Sequence, residues 1–170
     1  MTSAMKSRAL ISSLLLAGAL MLMSAAPASA TTNQVYRWRL FTRINDVRAA
    51  HGLHKFRIAD SLRDTAQRHS NDMVARDYFA HTSPTGSTLY HRVLESGFPS
   101  GGSWSAGENI AWGTGSIGSP RSIVRMWMHS PVHRANLLSR TFGCIGIGRA
   151  TGRFMGNSGA IVWTADFGHR

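Results

Sequence analysis

Apolar residues recur at steps of three to four through the first half of the chain and gather into short strand-like runs in its last third. Between Val35 and Ala50, Leu40, Ile44 and Val47 mark one helical face, interleaved with Arg37, Arg39, Arg43 and Arg48, and Gly52 is placed to stop the helix. A second stripe, Ile58, Leu62, Ala66, His69 and Met73, predicts a helix from about Ala59 to Arg76 that delivers His81 on the following loop. On this pattern His69 belongs to the helix and not to a site. Ser87 or Thr88 caps a short third helix carrying Leu89 and Val93 and closed by Gly97. Ser119-Pro120 opens a fourth with Ile123, Met126 and Trp127, which Pro131 ends. The pair Ser130-Pro131 restarts a brief turn over His133 to Leu138, with His133 and Asn136 on one face.

Cys144-Ile145-Gly146-Ile147-Gly148 and Ala160-Ile161-Val162-Trp163-Thr164-Ala165-Asp166-Phe167 read as strands of a terminal hairpin, with turn residues between Gly152 and Gly159. Ile110-Ala111-Trp112 adds a shorter strand, and Pro99 to Ser103 is loop. Helices early and strands late predict an α+β domain with an antiparallel sheet between helical layers.

The first thirty residues change the domain count. Lys6 and Arg8 precede an apolar run from Ala9 to Met23, and Ala28-Ser29-Ala30 has the small-x-small pattern that a signal peptidase reads. Residues 1–30 are therefore expected to be a cleavable signal sequence, and 31–170 one domain, secreted or periplasmic, with no transmembrane segment in the mature chain. Its 17 Lys and Arg outnumber 8 Asp and Glu, a formal +9, so anionic envelope polymers and lipid head groups are the expected partners. Nucleic acid is excluded, because no basic-aromatic repeat or binding motif accompanies the charge. Cys144 is the only cysteine, so no intramolecular disulfide can form. It enters a strand as an inert buried thiol rather than a nucleophile.

Candidate chemistry concentrates in three stretches: Phe79-Ala80-His81-Thr82-Ser83-Pro84, Gly107-Glu108-Asn109-Ile110-Ala111 and Ser130-Pro131-Val132-His133-Arg134-Ala135-Asn136-Leu137. None is a local metal or nucleophile motif, so a shared site requires the fold to assemble it. Joined by Trp127, Gly146-Ile147-Gly148 and the closing Val162-to-Phe167 strand, these stretches resemble the CAP superfamily, the SCP-like extracellular domains, in its bacterial branch, from about Leu40 to Phe167. The resemblance implies a three-layer α-β-α sandwich with a central cavity lined by two histidines and two acidic residues. His81 and His133 match the histidines and Glu108 matches one acid. Where many eukaryotic members place a second glutamate, three residues after the helix tryptophan Trp127, this chain has Ser130. The cysteine-rich extensions and the loops linked to sterol binding are absent.

Two imidazoles and a carboxylate can form a three-ligand site for zinc or another divalent metal, with His81, His133 and Glu108 as ligands; the same groups can equally hydrogen-bond one another and hold loops in place. Asn109 and Asn136 read as structural amides, Arg134 as a solvated or paired cation, and His91 and His129 as exposed helical residues. A cavity of His81, Glu108, His133 and Ser130 is expected to bind a divalent metal or a small, lipid-like ligand. The alternative is a metal-dependent hydrolase with Glu108 as base. Ser130 is better explained as a helix cap than as a nucleophile. Trp112, Trp127 and Trp163 belong to the core, whereas Phe98 and Trp104, near Gly/Ser-rich loop, are expected to stand exposed beside a ligand groove.

Overall fold

The computed structural model describes residues 28–98 and 101–169, with side chains from residue 31 onward. Most of the segment read as a signal sequence lies outside the described residues, as do Pro99 and Ser100. The elements run α1 (Ala28–Ala50), β1 (Arg57–Ile58), α2 (Asp60–Arg76), α3 (Leu89–Glu95), β2 (Ser105–Thr114), α4 (Pro120–His129), α5 (Pro131–Leu137), β3 (Cys144–Phe154) and β4 (Asn157–His169). Each predicted element is present, and β2 is longer than the three residues that suggested it. Its register explains the difference: ten residues of β2 pair with β4, from Ser105 opposite His169 to Thr114 opposite Ala160.

The strand order is β1-β3-β4-β2. β2, β4 and β3 form the expected antiparallel sheet, and β1 adds a two-residue parallel edge that pairs Arg57 with Cys144 and Ile58 with Ile145. The β3–β4 connection is a two-residue turn, Met155-Gly156, with φ of 49° and 77°, the double positive-φ geometry that suits the right-handed twist of a hairpin. Asp77, itself in the left-handed region at the end of α2, accepts the Met155 amide hydrogen through its side chain and joins helix end to hairpin tip.

Alternation along the strands sorts the core into two faces. Ile145, Ile147, Trp163, Ala165 and Phe167 point toward α1, α4 and α5 and pack with Leu40, Ile44, Ile123, Trp127 and Leu137. Their neighbours Ala160 and Val162 point the other way, onto Met73 of α2, while Leu62 of α2 packs with Val93 of α3. The result is the predicted α-β-α sandwich. Helix α2 lies unusually close to β3, because Gly146 and Gly148 present bare backbone to it: a Cβ on Gly146 would sit 2.0 Å from the Leu62 carbonyl carbon, and one on Gly148 2.1 Å from the Ala66 oxygen.

The fully buried Trp127 and Trp163 satisfy their indole N–H groups by donating to the Ile110 and Gly118 carbonyls, at 3.1 and 2.9 Å. Trp112 is partly buried against the Met73 cluster. Phe98 corrects the sequence expectation: it is buried among Ala59, Leu62 and Val93, in space left by the missing side chain of Gly168. Trp104 is partly buried against the same cluster, its ring 5.4 Å from Tyr90. Cys144 is a free, half-buried thiol facing that layer.

Candidate functional site

Four polar side chains converge where β2, the outer strand of the sheet, meets the loop after α2. Glu108 projects from β2 onto the α2 and α3 face and is buried. His81 Nδ1 lies 2.7 Å from Glu108 Oε1, and Arg92 Nη2 donates to Oε2, also at 2.7 Å. An ionised carboxylate can only accept, so His81 carries its proton on Nδ1 and turns Nε2 outward. The His81 side chain remains 55% exposed. The site is therefore a buried charge behind an accessible imidazole.

Two residues hold that imidazole in place. Arg92, on α3 behind the Thr88 cap, donates through Nη1 to the His81 and Ser87 carbonyls at 3.1 and 2.9 Å, so one guanidinium binds both the loop backbone and Glu108. His69, buried on α2, donates from Nε2 to the Ala80 carbonyl at 3.1 Å. The same nitrogen lies 3.8 Å from Glu108 Oε2. Burial lowers the His69 pKa, with Glu108 opposing the shift and Arg92 adding to it. His69 thus belongs to the helix, as expected, and also borders the site. Tyr78 donates to Asp72 at 2.7 Å, and burial together with that bond raises its phenol.

Burial alone would raise Glu108, but the hydrogen bond from His81 and the positive surroundings of His69 and Arg92 outweigh it and leave the carboxyl below its usual range. Directly across the ladder stands Asp166 of β4, fully buried, with neither carboxylate oxygen accepting a hydrogen bond. Burial first, then the charge of Glu108 across the ladder, pushes Asp166 well above the usual carboxylate range. The two carboxyls shift in opposite directions.

The second histidine, His133, stands on α5, whose backbone is fastened to β2. Helix α5 lies on the opposite face of the sheet, and its polar side binds β2: Asn109 Nδ2 donates to the His133 carbonyl at 2.9 Å, and Asn136 Nδ2 donates to Asn109 Oδ1 at 2.9 Å and to the Glu108 carbonyl at 3.3 Å. Both amides serve structure, as read from the sequence. His133 is half-buried, and burial followed by the charge of nearby His81 lowers its pKa. Ser130 occupies the N-cap position of α5 without a side-chain capping bond. Arg134, His91 and His129 are exposed. Among the described residues no group of three His, Cys, Asp or Glu side chains is arranged to hold a metal ion.

Arg92 was not singled out because it lies in no motif; Asp166 lies inside the closing Val162-to-Phe167 strand, but only the strand register puts it opposite Glu108. The position of His69 on the buried stripe of α2 was the available signal, since a histidine on an apolar face needs polar partners.

This α-β-α sandwich, with His81 backed by a buried acid at the edge of the sheet, is that of an SCP-type domain. The chain matches the CAP family, described as the cysteine-rich secretory protein family, over residues 41–167, and it belongs to that family. It is 33% identical over 144 residues to the uncharacterized protein YkwD of Bacillus subtilis, covering 85% of this chain and 50% of that one. It is 35% identical over 104 residues to the uncharacterized membrane protein YlbC of the same organism, covering 61% and 28%. The chain thus spans at most half the length of these curated relatives. Among solved structures, an extracellular SCP-domain protein of Bacillus anthracis aligns with a TM-score of 0.68 at 26% identity, covering 86% of this chain and 45% of that one. An outer surface protein of Borrelia burgdorferi shares the fold, with a TM-score of 0.63 at 23% identity and coverage of 77% and 90%.

Proposed function

We propose that this domain acts outside the cytoplasm as a binding module, in which His81 and His133 contact a divalent metal or a small polar ligand and Glu108 holds His81 in its binding tautomer. The 2.7 Å contact between His81 Nδ1 and Glu108 Oε1 carries this reading, because an Nδ1–H donated to Glu108 leaves Nε2 as the ring nitrogen available to a ligand. A carboxylate behind a histidine is the usual support of a metal-binding imidazole. Both Glu108 oxygens are already engaged, by His81 and Arg92, so Glu108 fits this supporting role better than that of a third ligand. A divalent ion, if held by His81 and His133, would supply Lewis acidity.

Secretion rests on the signal-like leader and on the extracellular SCP-domain neighbour. No helix among the described residues is long and apolar enough to cross a membrane. The hydrolase alternative is less well supported: Glu108, paired with Arg92 and held below the usual carboxylate range, is a weak general base at neutral pH.

Calorimetric titration with Zn²⁺ tests the proposal. One-site binding should disappear in His81→Ala and in His133→Ala, and should weaken about 10- to 100-fold in Glu108→Gln. Equal heats from the wild type and all three folded variants would sink the metal reading.

A further inference from the structure

The turn after α1, the start of β1 and the loop from α5 into β3 enclose a cleft of about 380 Å³, within the range of roughly 300–1,000 Å³ common for ligand sites. Its charged lining is all of one sign: Arg48, Lys55, Arg57 and Arg140 border it, with His54 beside them, and no carboxylate does. Lys55, Arg57 and Arg140 are exposed and, among the described residues, form no ion pair. The carboxylates nearest Arg48 and Arg57 in the chain are placed elsewhere: Asp46 borders the surface beside Arg39 and Arg43, and Asp60 pairs with Arg63.

Arg48 gives the cleft a fixed wall. It donates from Nε to the His54 carbonyl at 2.8 Å and from Nη1 to the Leu137 and Ser139 carbonyls at 2.8 and 2.9 Å, which ties the turn after α1 to the loop after α5. Its guanidinium lies 3.6 Å from the centre of the Phe56 ring. All of these partners are neutral. The residue is only 3% exposed, and burial holds its guanidinium below the usual range with no acidic group opposing the shift. A buried cation that lacks a counter-ion and stands among three further cations is stabilised by an anion from outside.

We infer that this cleft docks a polymer carrying phosphate groups at regular intervals. Lys55 and Arg57 are exposed on either side of the buried Phe56, the alternation of an extended chain, so their side chains leave one face about 7 Å apart and can meet successive charges. Arg140 enters the cleft from a separate loop. A tetrahedral phosphate accepts hydrogen bonds from several directions at once, whereas a planar carboxylate is best met by a single guanidinium fork. Nucleic acid fits less well, because single strands bind by stacking bases on aromatic rings, and Phe142 in the lining already stacks on Phe167. The cleft shares no lining residue with the His81 site, so either proposal can fail alone.

Calorimetric titration of the protein, as released by the expressing cell, with poly(glycerol phosphate) tests the assignment. Binding should weaken as salt rises and fall about tenfold in Arg57→Gln/Arg140→Gln. Lys55→Gln/Arg140→Gln, which leaves β1 untouched, should lose as much. Arg125→Gln/Arg153→Gln removes the same charge from exposed positions elsewhere and should bind nearly as well as the wild type. Inorganic phosphate, and polyglutamate or single-stranded DNA of equal charge, should each bind about tenfold more weakly than the phosphate polymer. Three results would overturn the assignment: wild-type binding by both cleft variants with unchanged melting curves, equal losses in the cleft and control variants, or equal affinity for the phosphate polymer and any of the three other anions.

Discussion

Glu108 and Asp166 face each other across the β2–β4 ladder, both buried, with Glu108 held below the usual carboxylate range and Asp166 pushed well above it. The pH dependence of stability follows from the directions of the two shifts. Asp166, raised in the folded state, contributes stability that is fully present below its unfolded pKa, about 3.9, and is lost as pH rises through the folded value. Glu108, lowered in the folded state, contributes stability that is present above its unfolded pKa, about 4.3, and is lost as pH falls through the folded value. Asp166→Asn removes the titrating acid at nearly constant size. Urea unfolding between pH 4 and 9 should show a flatter alkaline side for the variant and an unchanged acid side. Parallel curves for the two proteins would refute the upward shift of Asp166.

The Arg92–Glu108 pair predicts a large and asymmetric mutational effect. Arg92→Met strands a buried carboxylate and two loop carbonyls, so it should cost about 3–5 kcal/mol. Adding Glu108→Gln removes the charge that was stranded, and the double variant should recover much of the loss. Urea midpoints of the four proteins close the cycle, and strict additivity would refute a coupled pair.

These two relationships mark the limit of what the chain reveals unfolded. The apolar stripes located α2 and α4 almost to the residue, because Leu62, Ala66 and Met73 bury one face and Ser119-Pro120 fixes a start. The family-like stretches brought His81, Glu108 and His133 forward. Arg92 had no such signal: in Leu-Tyr-His-Arg-Val-Leu-Glu it looks like an ordinary surface cation, and only the packing of α3 against β2 turns it inward. β1 was missed because two residues carry no periodicity. Phe98 was misread as exposed because its partner in the core is an absence, the missing side chain of Gly168.

His69 predicts a local effect. Its bond to the Ala80 carbonyl fastens the loop that presents His81, and Ala80 is exposed, so water can replace the bond without unfolding the domain. His69→Leu should speed amide exchange around residues 77–83 by about tenfold, in keeping with a net bond strength near 1 kcal/mol. His69→Gln, whose side-chain N–H can reach the same carbonyl, should restore most of the protection. Equal exchange in all three proteins would show that the loop is held by Arg92 alone.

The close approach of α2 to β3 makes Gly148 a stringent test of the fold. A methyl group there meets the Ala66 carbonyl at 2.1 Å, and helix backbone cannot turn aside as a flexible side chain can. Gly148→Ala should therefore push α2 off the sheet and cost at least about 3 kcal/mol. The shift should also reach the site, because α2 carries His69, so exchange in the His81 loop should rise in the same variant. Gly143 provides the contrast: a Cβ there has no neighbour within 4 Å and its φ is not positive, so Gly143→Ala should be neutral or stabilise by up to about 1 kcal/mol. Thermal unfolding of the two alanine variants side by side separates the clash from the general effect of replacing glycine, and similar melting temperatures would show that α2 does not pack against bare β3 backbone.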